Sequence, residues 1–335
     1  MGLLPRSRLY HLDLMGINSA CIESLSSFLV RLAKAYNLPV QVLIGKIIQP
    51  VIFQQNPEMA LTLLDMPMDF INGTDDWVIK LARVMEGLTG HDNLSALSLH
   101  GWGKFLPNES LLHPTRHWCP LCFAEWKRND KPVYDPLIWY FKDVNFCLRH
   151  HVQLVAFCPY CHSHQFILEK NSRNGYCSKC FRWLGQRDYQ SPPIEPEMLD
   201  QLEWYAETIG ETIRQLTGAS ILPSKESICN SIRFIAETIS PYQDFSRIAG
   251  MPQYEILYWL RGIYQPDFTG LLNISYCFKV PLPKLLFNTV SEQDIQLPGV
   301  LSYPVSVKKS TSILNSGITR LQFSEKQSRG HKGIY

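Results

Sequence analysis

The sequence predicts a mainly α protein in three parts: an amino-terminal helical domain, a central cysteine-rich region and a carboxy-terminal helical domain. Apolar residues recur at helical spacing before residue 110 and again after residue 197. Between them, seven of the ten cysteines crowd into the stretch from Cys119 to Cys180. A proline-rich segment, Ser191-Pro192-Pro193-Ile194-Glu195-Pro196, reads as the linker before the last helical part. With 335 residues, 45% of them apolar, the chain can bury one large core or two to three ordinary ones.

Residues 1–110 form the first domain. Ile22, Leu25, Leu29, Leu32 and Tyr36 keep to one face of a helix, which Pro39 is expected to end. Thr74 reads as the N-cap of a second helix, with Asp75 and Asp76 favourable in its first turn. Trp77, Leu81, Val84 and Leu88 make its apolar stripe, and Thr89-Gly90 is expected to break it. A short helix bearing Leu94 and Leu97 follows.

Residues 111–190 are aromatic, cysteine-rich and weak in helical periodicity. Four ligand pairs with a two-residue gap occur in order: Cys119 with Cys122, Cys147 with His150, Cys158 with Cys161, and Cys177 with Cys180. Such a gap lets two ligands converge on one tetrahedral zinc ion from a tight turn, and two pairs close one site. The simplest pairing joins the first two pairs into a three-cysteine, one-histidine site and the last two into an all-cysteine site. His151 is an alternative to His150, and a cross-braced pairing of first with third is the alternative connectivity. Pro120 and Pro159, each after the first cysteine of its pair, suit such turns. Four protein ligands leave no open coordination position, so both Zn2+ ions are expected to be structural, making this a double zinc-finger region. Cys21, Cys229 and Cys277 stand apart and read as packing residues.

Residues 197–290 return to helices, with stripes at Leu202, Ala206, Ile209, Ile213 and Leu216 and at Ile228, Ile232, Ile235 and Ile239. From Phe245 to Gly262 the layout is that of a helix-turn-helix. Ala249 faces the neighbouring helix, Gly250 makes the turn, and the second helix buries Ile256 and Leu260. Residues 225–240 would be the first helix of a phage-repressor-like, five-helix domain. The exposed face of the second helix offers Gln253, Tyr254, Tyr258 and Arg261 as DNA contacts, alongside Glu255 and Leu257. A face this poor in charge equally suits packing against protein or a homodimer. Residues 291–335 lose periodicity and read as a mobile, mildly basic tail.

Net charge is only +2 and the pI about 8.0, so any DNA contact has to come from local patches. No run approaches the roughly 20 apolar residues of a membrane helix, and Met1 to Asp13 lacks a signal-peptide core, so a cytoplasmic protein without membrane association is expected. Gly101-Trp102-Gly103-Lys104-Phe105 lacks the spacing and hydroxyl of a Walker A motif. With no nucleophile elbow or zincin motif either, the sequence does not read as an enzyme, and closed zinc sites argue against a zinc-dependent nuclease.

Several of these segments together resemble the TniQ/TnsD family of Tn7-like transposition proteins, including CRISPR-associated ones. The run Glu23-Ser24-Leu25-Ser26-Ser27-Phe28-Leu29-Val30-Arg31-Leu32-Ala33 is similar to the family's opening helix. Arg116, Cys119-Pro120-Leu121-Cys122, Trp139, Cys147-Leu148-Arg149-His150, Leu154 and Cys158-Pro159-Tyr160-Cys161 follow in the family's order and spacing. The resemblance covers about residues 8–185, and the later helices are similar to those added in longer members. It implies a target-site selection adaptor that binds target DNA through its zinc region and carboxy-terminal helices. The amino-terminal region would recruit the AAA+ ATPase TnsC. The alternative it implies is an adaptor docked on a CRISPR guide-RNA effector complex, with no sequence-specific DNA binding of its own.

Overall fold

Ser24 opens the first helix, α1 (Leu25–Ala35), by accepting a hydrogen bond from the Ser27 amide at 3.2 Å. Leu25, Phe28, Leu29 and Leu32 of this helix are fully buried, so α1 is a core element. In the computed structural model, residues 7–55, 71–106, 111–217, 219, 221–239, 242–264 and 266–296 are described.

Pro39 does not end α1. The helix stops at Tyr36, Asn37 takes the left-handed conformation at φ 53°, and Pro39 caps the start of the next helix. Asn tolerates that conformation, and a proline at φ −59° is preorganised to lead into a helix. There α2 (Val40–Val42) runs through a π-helical turn (Leu43–Ile48) into α3 (Gln49–Gln55). The next helix, α4 (Asp76–Thr89), is capped by Asp75 rather than Thr74. Its Trp77, Leu81, Val84 and Leu88 are buried as the stripe requires. Thr89 stays helical because its hydroxyl bonds back to the Met85 carbonyl at 2.7 Å, and Gly90, at φ 75°, makes the break alone. Two 3-10 helices follow, Leu94–Leu97 and His100–Lys104, the second burying Trp102.

The central region contains a helix that weak periodicity did not announce, α5 (Pro120–Arg128), and one antiparallel pair of two-residue strands, β1 (Phe146–Cys147) with β2 (Val152–Gln153). Beyond it, α6 (Pro196–Thr217) begins on the last proline of the expected linker. There follow α7 (Lys225–Thr238), with a Ser224/Ser227 capping box, α8 (Tyr242–Ala249), α9 (Gln253–Leu260), α10 (Phe268–Cys277) and α11 (Leu282–Phe287). Gly250, at φ 64°, joins α8 to α9. The residues α9 buries are Ile256 and Trp259, not Ile256 and Leu260. Both 259 and 260 lie within one turn of 256, and the larger indole takes the inner place. Residues 291–296 pack on the fold: Lys284 pairs with Asp294, and the Gln296 amide donates to the Phe278 carbonyl at 3.0 Å. The rest of the expected tail, from residue 297, lies outside the described residues.

Helices dominate throughout, and the buried side chains form one continuous core. Trp102, Phe141 and Phe268, one from each expected part, meet with ring centroids 5.3–6.1 Å apart. Gly210 of α6 admits Ala20 so closely that a Cβ there would lie 2.7 Å from the Ala20 Cβ. A buried polar network also joins α1 to the centre. Arg116 donates two bonds to Asp135 at 2.8 and 3.1 Å, and the Asp135 amide and Asn174 both donate to Ser27 Oγ. Ser27 donates in turn to Glu23, which pairs with Arg31 at 2.5 Å. These partners explain why so polar a helix start is buried.

Candidate metal centres

Three of the four ligand pairs share one turn. After Cys147–His150, Cys158–Cys161 and Cys177–Cys180 the next residue, His151, His162 or Phe181, adopts a left-handed φ of 51–59°. In each case its amide donates to the carbonyl of the pair's first residue, at 2.8, 2.9 and 3.1 Å. That closure turns both ligand side chains inward. The first pair is built differently. Cys119 is the N-cap of α5, Pro120 is its first residue, and Cys122 lies in its first turn with its amide 3.4 Å from Cys119 Sγ. The Cys-Pro signal that reads as a tight turn therefore starts a helix here.

Cys119, Cys122, Cys147 and His150 bring four ligand atoms within 4.8 Å of one another, as do Cys158, Cys161, Cys177 and Cys180. Sequential pairing is thus the one observed, and the cross-braced alternative is not. Within the first cluster Cys122 Sγ lies 3.7 Å from Cys147 Sγ, and His150 Nδ1 lies 3.5, 3.2 and 3.8 Å from the Cys119, Cys122 and Cys147 sulfurs. Across the second, Cys158–Cys180 and Cys161–Cys177 are each 3.6 Å apart. Tetrahedral zinc with bonds of about 2.3 Å to sulfur and about 2.0 Å to nitrogen sets ligand separations of about 3.5–3.8 Å. Both buried clusters are compatible with zinc on this test. His150 rather than His151 belongs to the first cluster; the His151 ring turns to Glu203 of α6, 2.9 Å away.

Sequence reasoning missed the partners around these donors. Glu125, one turn after Cys122 on α5, places Oε2 3.2 Å from His150 Nε2 and also pairs with Arg149. A carboxylate on the far nitrogen fixes the tautomer that leaves Nδ1 free for a metal. Gln165, fully buried, donates to Cys177 Sγ at 3.3 Å and accepts from the Ser178 amide at 2.8 Å. The Lys179 and Cys180 amides point at the same sulfur, each at 3.4 Å. The i, i+3 spacing of Cys122 and Glu125 on a helix was the only available signal for any of these.

Crowding divides the thiols. Hydrogen bonds from Cys119 and Cys122 hold Cys147 down at about 2, while sharing protons with Cys119 and Cys147 drives Cys122 far above the ordinary thiol range. In the second cluster hydrogen bonds to Ser163 lower Cys161 to about 6, and burial pushes Cys158 up to about 12. Cys119, Cys122 and Cys158, all raised, are thiols whose ionised form a central cation would favour.

The residues expected to face DNA, Gln253, Tyr254, Tyr258 and Arg261, are all exposed on α9 or at its C-cap. Tyr254 is 57% exposed, its ring 6.3 Å from that of Tyr258, which in turn lies 5.1 Å from Tyr264. Of the remaining cysteines Cys21 is exposed, not packed, while Cys229 and Cys277 are half-buried.

Fold and clusters together define a mainly helical protein whose centre is organised by two groups of four metal-type donors. Residues 18–154 match the TniQ family model, a span from just before α1 to just past β2 that takes in the whole first cluster. Those residues therefore carry a TniQ domain, in keeping with the TniQ/TnsD resemblance of the sequence. The second cluster and the carboxy-terminal helices lie beyond the matched span. No curated protein matches the chain.

Proposed function

We propose that this protein is a non-catalytic target-site selection adaptor for Tn7-like transposition. In this reading it binds target DNA and recruits the AAA+ regulator TnsC, which brings the transposase. The observation that carries it is the TniQ match over residues 18–154, reinforced by the closed character of both donor sets. Cys119, Cys122, Cys147 and His150 hold one zinc ion and Cys158, Cys161, Cys177 and Cys180 a second. Four protein ligands per ion leave no place for water or substrate, so the metal supplies cross-linking rather than chemistry. The helices α8 and α9 act as a helix-turn-helix, with Gln253 and Tyr254 at the start of the second helix toward base edges and Tyr258 and Arg261 toward phosphate.

A second reading is favoured by the surface of α9 and the turn after it, where exposed Tyr254, Leu257, Tyr258, Ile263 and Tyr264 outnumber the cation Arg261. Here α9 docks on protein, in a homodimer or on a CRISPR guide-RNA effector complex, and sequence is read by the guide. Binding of the zinc-loaded protein to duplex DNA, target site against random sequence across a salt series, tests the two. Site-specific binding that falls steeply with salt and weakens with Arg261→Ala supports the first. Absence of sequence preference together with co-purification on a guide-RNA complex supports the second.

A further inference from the structure

The stretch that holds the two clusters carries an excess of positive charge. Residues 121–190 hold ten Lys and Arg against six Asp and Glu, a larger excess than the +2 of the whole chain. Among the described residues Arg149 and Lys179 are paired to Glu125 and Glu169, but no ion pair engages Lys127, Arg173 or Arg182. These three cations lie over aromatic rings instead. Lys127 is 4.4 Å from the Trp183 ring centroid, Arg173 is 4.2 Å from that of Tyr176, and Arg182 is 4.8 Å from that of Tyr160. All three are exposed.

Rings are left open beside them. Phe181 is 62% exposed and Tyr160 46%. Both sit in the turns of the second cluster, whose sulfurs lie within 4.8 Å of one another, so they share one small, rigid module. An aromatic held at a left-handed turn with its ring in solvent contributes nothing to the core. Phe157 and Phe166, 39% and 51% exposed, flank the same module.

From this interleaving of unpaired cations with open rings we infer that the four-cysteine module binds a single-stranded nucleic acid segment. Arg173, Arg182 and Lys127 meet the phosphates, and Phe181 and Tyr160 offer faces on which unpaired bases stack. A duplex would leave the rings unused, because its bases are already stacked. Bases every few ångströms along a charged backbone match both features at once. The inference names a strandedness that the proposed DNA contact of the zinc region does not require, and it stands whether or not α9 touches DNA.

The test uses full-length, zinc-loaded protein and fluorescence anisotropy with a labelled 20-nucleotide oligo(dT) and a 20-base-pair duplex of random sequence. Oligo(dT) is expected to bind more tightly than the duplex at equal salt. The double variant Arg173→Ala/Arg182→Ala should lose on the order of tenfold in affinity and flatten the dependence of log affinity on log salt by up to about 0.7 for each phosphate no longer neutralised. Phe181→Ala should lose about five- to tenfold with the salt slope unchanged, and Phe181→Trp should restore binding. Arg261→Ala on α9 should leave oligo(dT) binding intact while still reporting on duplex contact by that helix. Duplex binding as tight as oligo(dT), or Phe181→Ala without effect, would overturn the inference. So would arginine variants that lose zinc while their zinc-replete form still binds oligo(dT) normally, since the cations would then serve only the thiolates.

Discussion

Glu125 shows how a single side chain decides which atom of a histidine is free to ligate. With its carboxylate on Nε2 and the ring otherwise within van der Waals reach of three sulfurs, His150 has Nδ1 as its one available donor. Glu125→Ala is expected to lower zinc affinity at the first cluster by about 10- to 100-fold, read by competition with a chromogenic chelator, while His151→Ala leaves it unchanged. An equal loss in both variants would place the ligand on the wrong histidine. The eight donors were legible because two-residue gaps are a property of sequence alone. Glu125 and Gln165 were not, since their roles exist only after α5 and the knuckle turns bring distant residues together. A further residue reports on pH. Burial, and then its stacking partner His117, hold the His113 imidazole down at about 3 against an ordinary 6.5, so the folded state refuses a proton that the unfolded chain accepts. The stabilisation is present above about pH 6.5 and lost as pH falls from there toward 3. With zinc in excess at each pH, His113→Phe is expected to flatten this part of the stability curve in denaturant titrations.

At the scale of elements, α1 is tied to the centre by charge as much as by apolar packing. Arg116 and Asp135 are almost fully buried, and Asp135 also accepts from Tyr140 while its amide reaches Ser27. Removing one member of a buried pair leaves the other charge without compensation, a loss of about 3–5 kcal/mol. Asp135→Ala should therefore destabilise the TniQ domain by that amount in equilibrium unfolding, whereas Arg214→Ala, which breaks an exposed pair with Glu211, should change little. The helical stripes could be read in advance where burial follows a 3.6-residue period, as in α4 and α7, whereas α1 is buried on nearly every side. What the period could not tell was where helices begin. Pro39 reads as a stop and Pro120 as part of a turn, yet each stands at a helix start, where proline's missing amide proton costs nothing. Likewise the choice between Trp259 and Leu260 depends on side-chain volume against the neighbouring helix, not on spacing.

The molecule as a whole bears on what zinc removal does. Read by composition, the three parts look separable, and loss of metal would be a local event. Their side chains nevertheless share one core: Trp102, Phe141 and Phe268 touch across all three, Gly210 of α6 lies against Ala20, and His151 beside the first cluster meets Glu203 of α6. A region that would draw on the order of 10 kcal/mol per site from zinc ligation could not then unfold without exposing apolar surface on its neighbours. Chelation of both ions, or Cys119→Ser at the first, is accordingly expected to lower one cooperative thermal transition. It should also remove near-ultraviolet signal from the stacked Trp126, Tyr134 and Trp139. If calorimetry instead showed a zinc-sensitive transition beside a second one that chelator leaves in place, the shared core would not couple the parts energetically. The carboxy-terminal helices would then be an independent unit, and α9 could be presented to its partner without the metal region folded. Metal analysis of the purified protein sets the baseline: two zinc ions per chain are expected, and none would remove the premise.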